Sequence, residues 1–169
     1  MKHPLADRIH GFSYEGLAQN LAAIQSRSIE IFQRLNEFIL SHSFHVTQDG
    51  EGGFRIRIDS SWGESRLVQI PPPSQFSQFL INRYREYKTP RHGLVLLGVD
   101  AYLHEEIQKL PRSEFTPILW IEPDMGWFSA WAVIHTLESM LTLPQTFLFL
   151  GDHALQEWHD ALDAELEPY

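Results

Sequence analysis

Acidic side chains follow three short apolar runs, and this pattern has the clearest chemical meaning in the sequence. The runs cover residues 93–98, 116–121 and 146–150, and the carboxylates after them are Asp100, Glu122, Asp124 and Asp152. Ligands of open α/β sheets bind outside the carboxyl ends of the strands. Carboxylate oxygens are ligands that Mg²⁺ accepts. The pattern therefore allows a Mg²⁺-dependent hydrolase in which these four residues are catalytic.

Helix capping explains the same residues without any chemistry. Asp100, Asp124 and Asp152 stand at or immediately before predicted helix starts, where an aspartate accepts hydrogen bonds from free backbone N–H groups. The chain after Arg112 also has no Lys or Arg that could neutralise a phosphate. We therefore favour capping and assign no catalytic residue, and the hydrolase stays as the alternative.

No other catalytic or metal-binding motif is complete. His42 and His45, with Asp49 nearby, have the separation of two metal ligands on one helical turn. No third ligand is identifiable, so we predict neither a metal site nor a cofactor. A glycine-rich phosphate fingerprint and a nucleophile elbow are both missing from the sequence. The chain has no cysteine, which excludes disulfides and thiolate sites and suits a reducing cytoplasm.

The C-terminal third of the chain is strongly acidic and contains several tryptophans. Residues 113–169 hold ten Asp and Glu and no Lys or Arg. Such a stretch repels nucleic-acid backbones and attracts a basic protein face, although it is equally typical of a solvated helix surface. Tryptophan is enriched at the hot spots of protein interfaces. The residues predicted to bind a partner are Glu122, Asp124, Trp127, Glu157, Asp160 and Asp163.

Basic residues are concentrated between residues 54 and 91, where seven Lys and Arg face three Asp and Glu. The basic patch that we single out consists of Arg55, Arg57, Arg83, Arg85 and Lys88. It could contact nucleic acid, protect an edge strand from unwanted pairing, or neutralise the acidic third of this chain or of a second copy. The formal net charge of −9 makes nucleic acid the least favoured of these roles.

The first elements that must position these residues are a helix and a hairpin. From Leu17 to about Ser41, apolar residues recur in steps of three and four, and only Ser28 interrupts them. This pattern predicts one long helix. Apolar residues alternate with arginines in Phe54–Ile58, which together with Ser65–Ile70 predicts an antiparallel hairpin at or near a sheet edge.

Strands alternate with helices in the second half of the chain. A helix capped by Ser74 comes first, and each of the three apolar strands is then followed by a helix, over residues 100–110, 126–141 and 152–166. This alternation predicts a parallel sheet covered on both faces. We therefore predict a single three-layer α/β domain over residues 1–169, with a mixed, largely parallel sheet of about five strands. Whether the N-terminal segment, residues 1–16, is well or poorly ordered stays open.

These features favour a non-catalytic protein that binds another protein through its acidic, Trp-containing C-terminal surface. An inhibitor or immunity-type protein, or an accessory subunit of an assembly, would have this profile. The expected partner is a protein with a basic surface or a second copy of the chain, and neither nucleic acid nor a membrane. Residues 1–8 lack the apolar region of a signal peptide, so we expect a cytoplasmic protein.

Overall fold

Two β-sheets and the helices between them form the structure. The computed structural model describes residues 3–74, 79–80, 82–83, 92–109, 115–142 and 146–166. The strands are β1 (Ile9–His10), β2 (His42–Gln48), β3 (Phe54–Ser60), β4 (Ser65–Ile70), β5 (His92–Leu97), β6 (Phe115–Glu122) and β7 (Thr146–Leu150). The helices are α1 (Glu15–Gln25), α2 (Ile29–Leu40), α3 (Ala101–Gln108), α4 (Met125–Ile134), α5 (Glu138–Leu141) and α6 (Ala154–Leu166). The prediction of mixed helix and sheet is confirmed, but the described strands form two sheets instead of one.

The first sheet contains the predicted hairpin and has the strand order β1-β2-β3-β4. β3 pairs antiparallel with both of its neighbours, whereas β1 pairs parallel with β2. β3 therefore lies one strand in from the edge formed by β4. Ile56 and Ile58 are buried and Arg55 and Arg57 are exposed, because successive side chains of a strand point to opposite faces.

The predicted long N-terminal helix is wrong, because the chain divides at Ser28 into α1 and α2. Ser28 has an extended backbone, and its hydroxyl oxygen accepts a hydrogen bond from the Ile31 N–H at 3.3 Å. Serine is a strong N-cap residue, so the one polar position in the apolar stripe starts a new helix. The stripe continues across the break because both helices bury it in the same core, through residues such as Leu21 and Leu35.

Strand β2 follows α2 directly and contains His42 and His45. The prediction that these two residues have the spacing of metal ligands on one helical turn is therefore wrong. These two histidines lie in a strand and not at the frayed end of a helix. Because they are three residues apart in a strand, their side chains point to opposite faces. His42 is buried, whereas His45 stacks on His10 and lies 3.3 Å from Asp59. The ligand spacing expected for one helical turn is therefore absent.

The second sheet is the predicted parallel sheet, with the order β5-β6-β7. Each of its strands is followed by a helix, as predicted, but the helix predicted over 126–141 is divided into α4 and α5. The helix that Ser74 was predicted to cap falls mostly outside the described residues, of which 79–80 and 82–83 are helical. None of the helices in the described ranges is long and apolar enough to cross a membrane.

One hydrophobic core joins the two sheets. α1 and α2 both contact α4, while α2 also contacts β2 and α4 contacts β4. Buried residues from both sheets, including Phe44 and Trp120, belong to the same cluster. The C-terminal ends of the parallel strands are consequently held beside one end of the antiparallel sheet, and this arrangement positions the candidate site.

Candidate functional site

Two of the aspartates at the strand ends are helix caps. Asp100 precedes α3, and its Oδ1 accepts hydrogen bonds from the N–H groups of Tyr102 and Leu103 at 2.9 and 3.1 Å. Asp124 precedes α4, and its Oδ1 accepts a hydrogen bond from the Trp127 N–H at 3.0 Å. The contacts of both residues are those that the capping interpretation requires.

Glu122 is buried at the end of β6 and joins two loops. Its Oε2 accepts a hydrogen bond from the Val99 N–H and its Oε1 accepts one from the Asp124 N–H, each at 2.8 Å. Burial raises the pKa of Glu122, and the two backbone N–H groups oppose that rise. Both carboxylate oxygens are thus occupied by the backbone. The side chain clamps the β5–α3 loop to the β6–α4 loop.

Replacement of Glu122 by glutamine is expected to lower the free energy of unfolding by about 1–3 kcal/mol. A glutamine has only one acceptor oxygen, so its NH₂ group would face one of the two backbone N–H donors. Urea unfolding at neutral pH measures the difference. Glu138→Gln, the same change on an exposed side chain, is the matched control. Equal stability of the wild type and Glu122→Gln would contradict the clamp.

Asp152 differs from the other strand-end carboxylates because it is exposed and makes no capping hydrogen bond among the described residues. α6 begins two residues later, at Ala154, whose N–H donates to the carbonyl of Gly151. Asp152 and Asp124 line the same cleft, whereas Asp100 and Glu122 do not. In the part of the chain that the structure describes, no group of three or more His, Asp or Glu side chains is placed to hold a metal ion.

The cleft has a volume of about 820 Å³ and lies between the strand ends of the parallel sheet and the β3–β4 end of the antiparallel sheet. Phe38, Ile58 and Met125 contribute apolar surface to its wall. The polar and aromatic residues that line it are Ser41, His42, Ser60, Trp62, Glu64, Ser65, Arg66, Asp124 and Asp152. A concave site of this size, outside the carboxyl ends of parallel strands, is where α/β proteins bind ligands.

A bidentate ion pair joins the two sheets at the cleft. Arg66 of β4 donates two hydrogen bonds to Asp124, at 2.7 and 2.5 Å. Burial raises the pKa of Asp124, but the hydrogen bonds and charge of Arg66 outweigh it and hold that pKa below its usual value. The pair also lies close to Gly126, where a Cβ would be 3.1 Å from Arg66 Nη1.

His42 and Trp62 form an aromatic corner of the cleft. The His42 ring stacks on Phe38 at a centroid distance of 4.0 Å, and the Trp62 indole meets it at 5.1 Å and 80°. Trp62 is 61% exposed. From the sequence, His42 is considered only as a possible metal ligand near a predicted helix end, and Trp62, which lies in a predicted turn, is not singled out. The feature of the sequence that could have indicated Trp62 as a site residue is a lone tryptophan among Ser, Gly and Glu.

Within the described ranges, one face of the parallel sheet carries several exposed apolar side chains. Trp120 points to the other face, where His104 of α3 and Phe128 of α4 contact it. Both crossover helices therefore cover the same side. On the opposite side Leu97 is 74% exposed and Phe147 is 51% exposed. Among the described helices, α3 and α4 cover one face, in line with part of the prediction, while most of the helix predicted after Ser74 lies outside the described residues.

α6 contacts β6 and β7 but leaves much of its own apolar stripe exposed. Ile121 of β6 points away from Trp120 and is buried. Leu155 is 52% exposed, however, and Leu162 is also exposed. We define the apolar face as Val95, Leu97, Phe147, Leu155 and Leu162.

The structure separates the six residues predicted to bind a partner. Glu122 and Asp124 have the contacts given above, and the half-buried Trp127 donates its indole N–H to the Val99 carbonyl at 2.9 Å. The remaining three acidic residues are on α6. Glu157 pairs with Arg34 of α2. Asp160 and Asp163 are exposed, and their hydrogen-bond and ion-pair partners among the described residues are Gln156 and His159 of α6 itself.

The predicted basic patch is described only in part. Arg55 and Arg57 are exposed on β3, and Arg57 pairs with Asp59 at 2.9 Å. Arg83 is within a described helical stretch, while Arg85 and Lys88 lie outside the described residues.

No protein-family model, no curated protein and no solved structure matches this chain.

Proposed function

We propose that this protein acts by binding another protein through the apolar face and the acidic side chains of α6 beside it. The observation that carries the proposal is the set of exposed apolar side chains on the side of the parallel sheet opposite α3 and α4, where Leu97 is 74% exposed. Parallel sheets are normally covered on both faces, and contiguous exposed apolar surface marks interaction sites. An inhibitor, an immunity-type protein or an accessory subunit would each use such a surface.

The charge around the apolar face supports a partner protein with a basic rim. Asp160 and Asp163 are exposed on α6, and residues 113–169 contain no Lys or Arg. A symmetric dimer would bring two such helices together, and like charges would oppose that contact. A basic rim would instead be attracted, and the association would weaken with increasing salt. Glu122 and Trp127 are not part of this surface.

Selection of random peptides displayed on phage against the immobilised full chain tests this proposal. We expect the selected peptides to combine Lys or Arg with large apolar residues and to lose binding to Leu97→Asp, because that change places a charge in the apolar face. Combined Asp160→Asn and Asp163→Asn should weaken binding about tenfold at low salt and less at high salt.

Leu67→Asp is the matched control for this experiment. Leu67 is an exposed leucine on β4, an edge strand of the other sheet, so its replacement should leave the selected peptides bound. Peptides that lack basic residues, or that bind Leu97→Asp as tightly as the wild type, would overturn the proposal. Sedimentation at two salt concentrations adds a second test, because a dimer that Leu97→Asp dissociates would assign the face to a second copy.

A further inference from the structure

The charged side chains in the cleft leave an excess of hydrogen-bond acceptors. Arg66 and Asp124 neutralise each other through their bidentate pair. Glu64 and Asp152 are exposed and have no ion-pair partner within the described ranges. A phosphate or carboxylate ligand would meet two unpaired carboxylates, whereas a cation would be attracted to them.

His42 adds an acceptor that is fixed in one tautomer. Its Nδ1 lies 2.6 Å from the carbonyl oxygen of Phe38. A carbonyl only accepts hydrogen bonds, so Nδ1 carries the hydrogen and the Nε2 of the neutral ring has the free lone pair. Nε2 has no hydrogen-bond partner among the residues that the structure describes. His42 is more than nine-tenths buried and lines the cleft, which makes the cleft the side from which a ligand would approach this acceptor.

Trp62 supplies an exposed aromatic surface beside that acceptor. Its indole is nearly perpendicular to the His42 ring, and most of it is accessible. The face of an indole attracts cations, and a planar guanidinium also stacks on it. Phe38, Ile58 and Met125 line the same cleft and offer apolar contact to an aliphatic stem.

We propose that the cleft binds a guanidinium group on an apolar stem. The plane of the group lies on Trp62, and its N–H groups donate to the carboxylate of Asp152 and to Nε2 of His42. A small guanidino compound and the arginine side chain of a polypeptide share this chemistry. The proposal rests on the cleft alone and is independent of the apolar face.

Calorimetric titration of the full chain at low salt with two probes tests the site. The probes are agmatine, a free guanidino compound, and acetyl-Gly-Arg-Gly-amide, an arginine within a peptide. We expect saturable binding of at least one probe. Asp152→Asn and Trp62→Leu should each weaken it about tenfold, because each removes one attraction to the cation. Glu138→Gln also removes one negative charge, from an exposed side chain outside both the cleft and the apolar face, and should leave binding unchanged.

The titration results show whether the cleft binds a guanidinium group and whether that group belongs to a free compound or to a peptide. Agmatine binding alone supports a small free ligand, peptide binding alone supports an arginine side chain, and both support the guanidinium class. Absence of binding by both probes, wild-type affinity in Asp152→Asn, or equal affinity for butylammonium would overturn the proposal. Leu97→Asp should still bind the probe, so this site and the apolar face are tested separately.

Discussion

Replacement of Asn20 by alanine is expected to lower the free energy of unfolding by about 3–5 kcal/mol. Asn20 is fully buried on α1. Its amide nitrogen donates to the carbonyls of Ala132 and His135 at 2.9 and 2.8 Å, and its Oδ1 accepts from the Leu137 N–H at 2.6 Å. Alanine would leave these three groups unpaired, two of them buried, and an unpaired buried polar group costs about 1–3 kcal/mol.

Urea unfolding of three variants measures this effect. Asn20→Asp keeps the acceptor, but it removes both donated hydrogen bonds and buries a charge, so it should be at least as destabilising as Asn20→Ala at neutral pH. Asn36→Ala changes a partly exposed asparagine of α2 and should alter stability by no more than about 0.5 kcal/mol. An Asn20→Ala protein as stable as Asn36→Ala would show that these hydrogen bonds do not hold α1 to the α4–α5 junction.

The same asparagine explains why one helix boundary could not be predicted. Ser28 is a local signal, because a capping residue interrupts an apolar stripe at the point where α2 begins. The break between α4 and α5 depends instead on Asn20, which is more than a hundred residues away in the sequence. Residues 126–141 alone therefore predict one helix. Local patterns defined β3 to β7 for a similar reason, since alternation, apolar runs and flanking glycines are all properties of short segments.

The candidate site shows the same division between local and long-range causes. Capping by Asp100 and Asp124 could be predicted because the cap and the helix are adjacent in sequence. The pairing of Asp124 with Arg66 depends on the approach of the two sheets, which no short segment specifies. The exposed apolar side chains on the other face of the parallel sheet also depend on topology, because both crossover helices lie on one face. Composition could locate the acidic residues but not the apolar surface beside them.

Acid is expected to destabilise this protein mainly through His104. The ring lies 4.0 Å from that of Trp120, and neither of its nitrogens has a hydrogen-bond partner among the described residues. Burial lowers the pKa of His104 from 6.5 to about 3. Between these pH values the unfolded chain binds a proton that the folded chain does not. The free energy of unfolding therefore falls by about 1.4 kcal/mol per pH unit, or about 5 kcal/mol over the whole window.

His104→Leu should remove this dependence and stabilise the protein at neutral pH, because leucine fills a similar volume without two unpaired polar atoms. Burial also lowers the pKa of His135, which adds to the loss in acid, whereas the raised pKa of Glu122 acts in the opposite direction. His135 and Glu122 both remain in His104→Leu. The difference in the free energy of unfolding between the wild type and this variant therefore reports the contribution of His104. Urea unfolding at pH 7, 5.5 and 4 measures it, with His153→Gln as the control for an exposed imidazole. The difference in the free energy of unfolding should widen steadily below pH 6.5, because only the wild type must keep a neutral histidine at position 104 buried. Parallel plots of this free energy against pH for the two proteins would contradict the assignment.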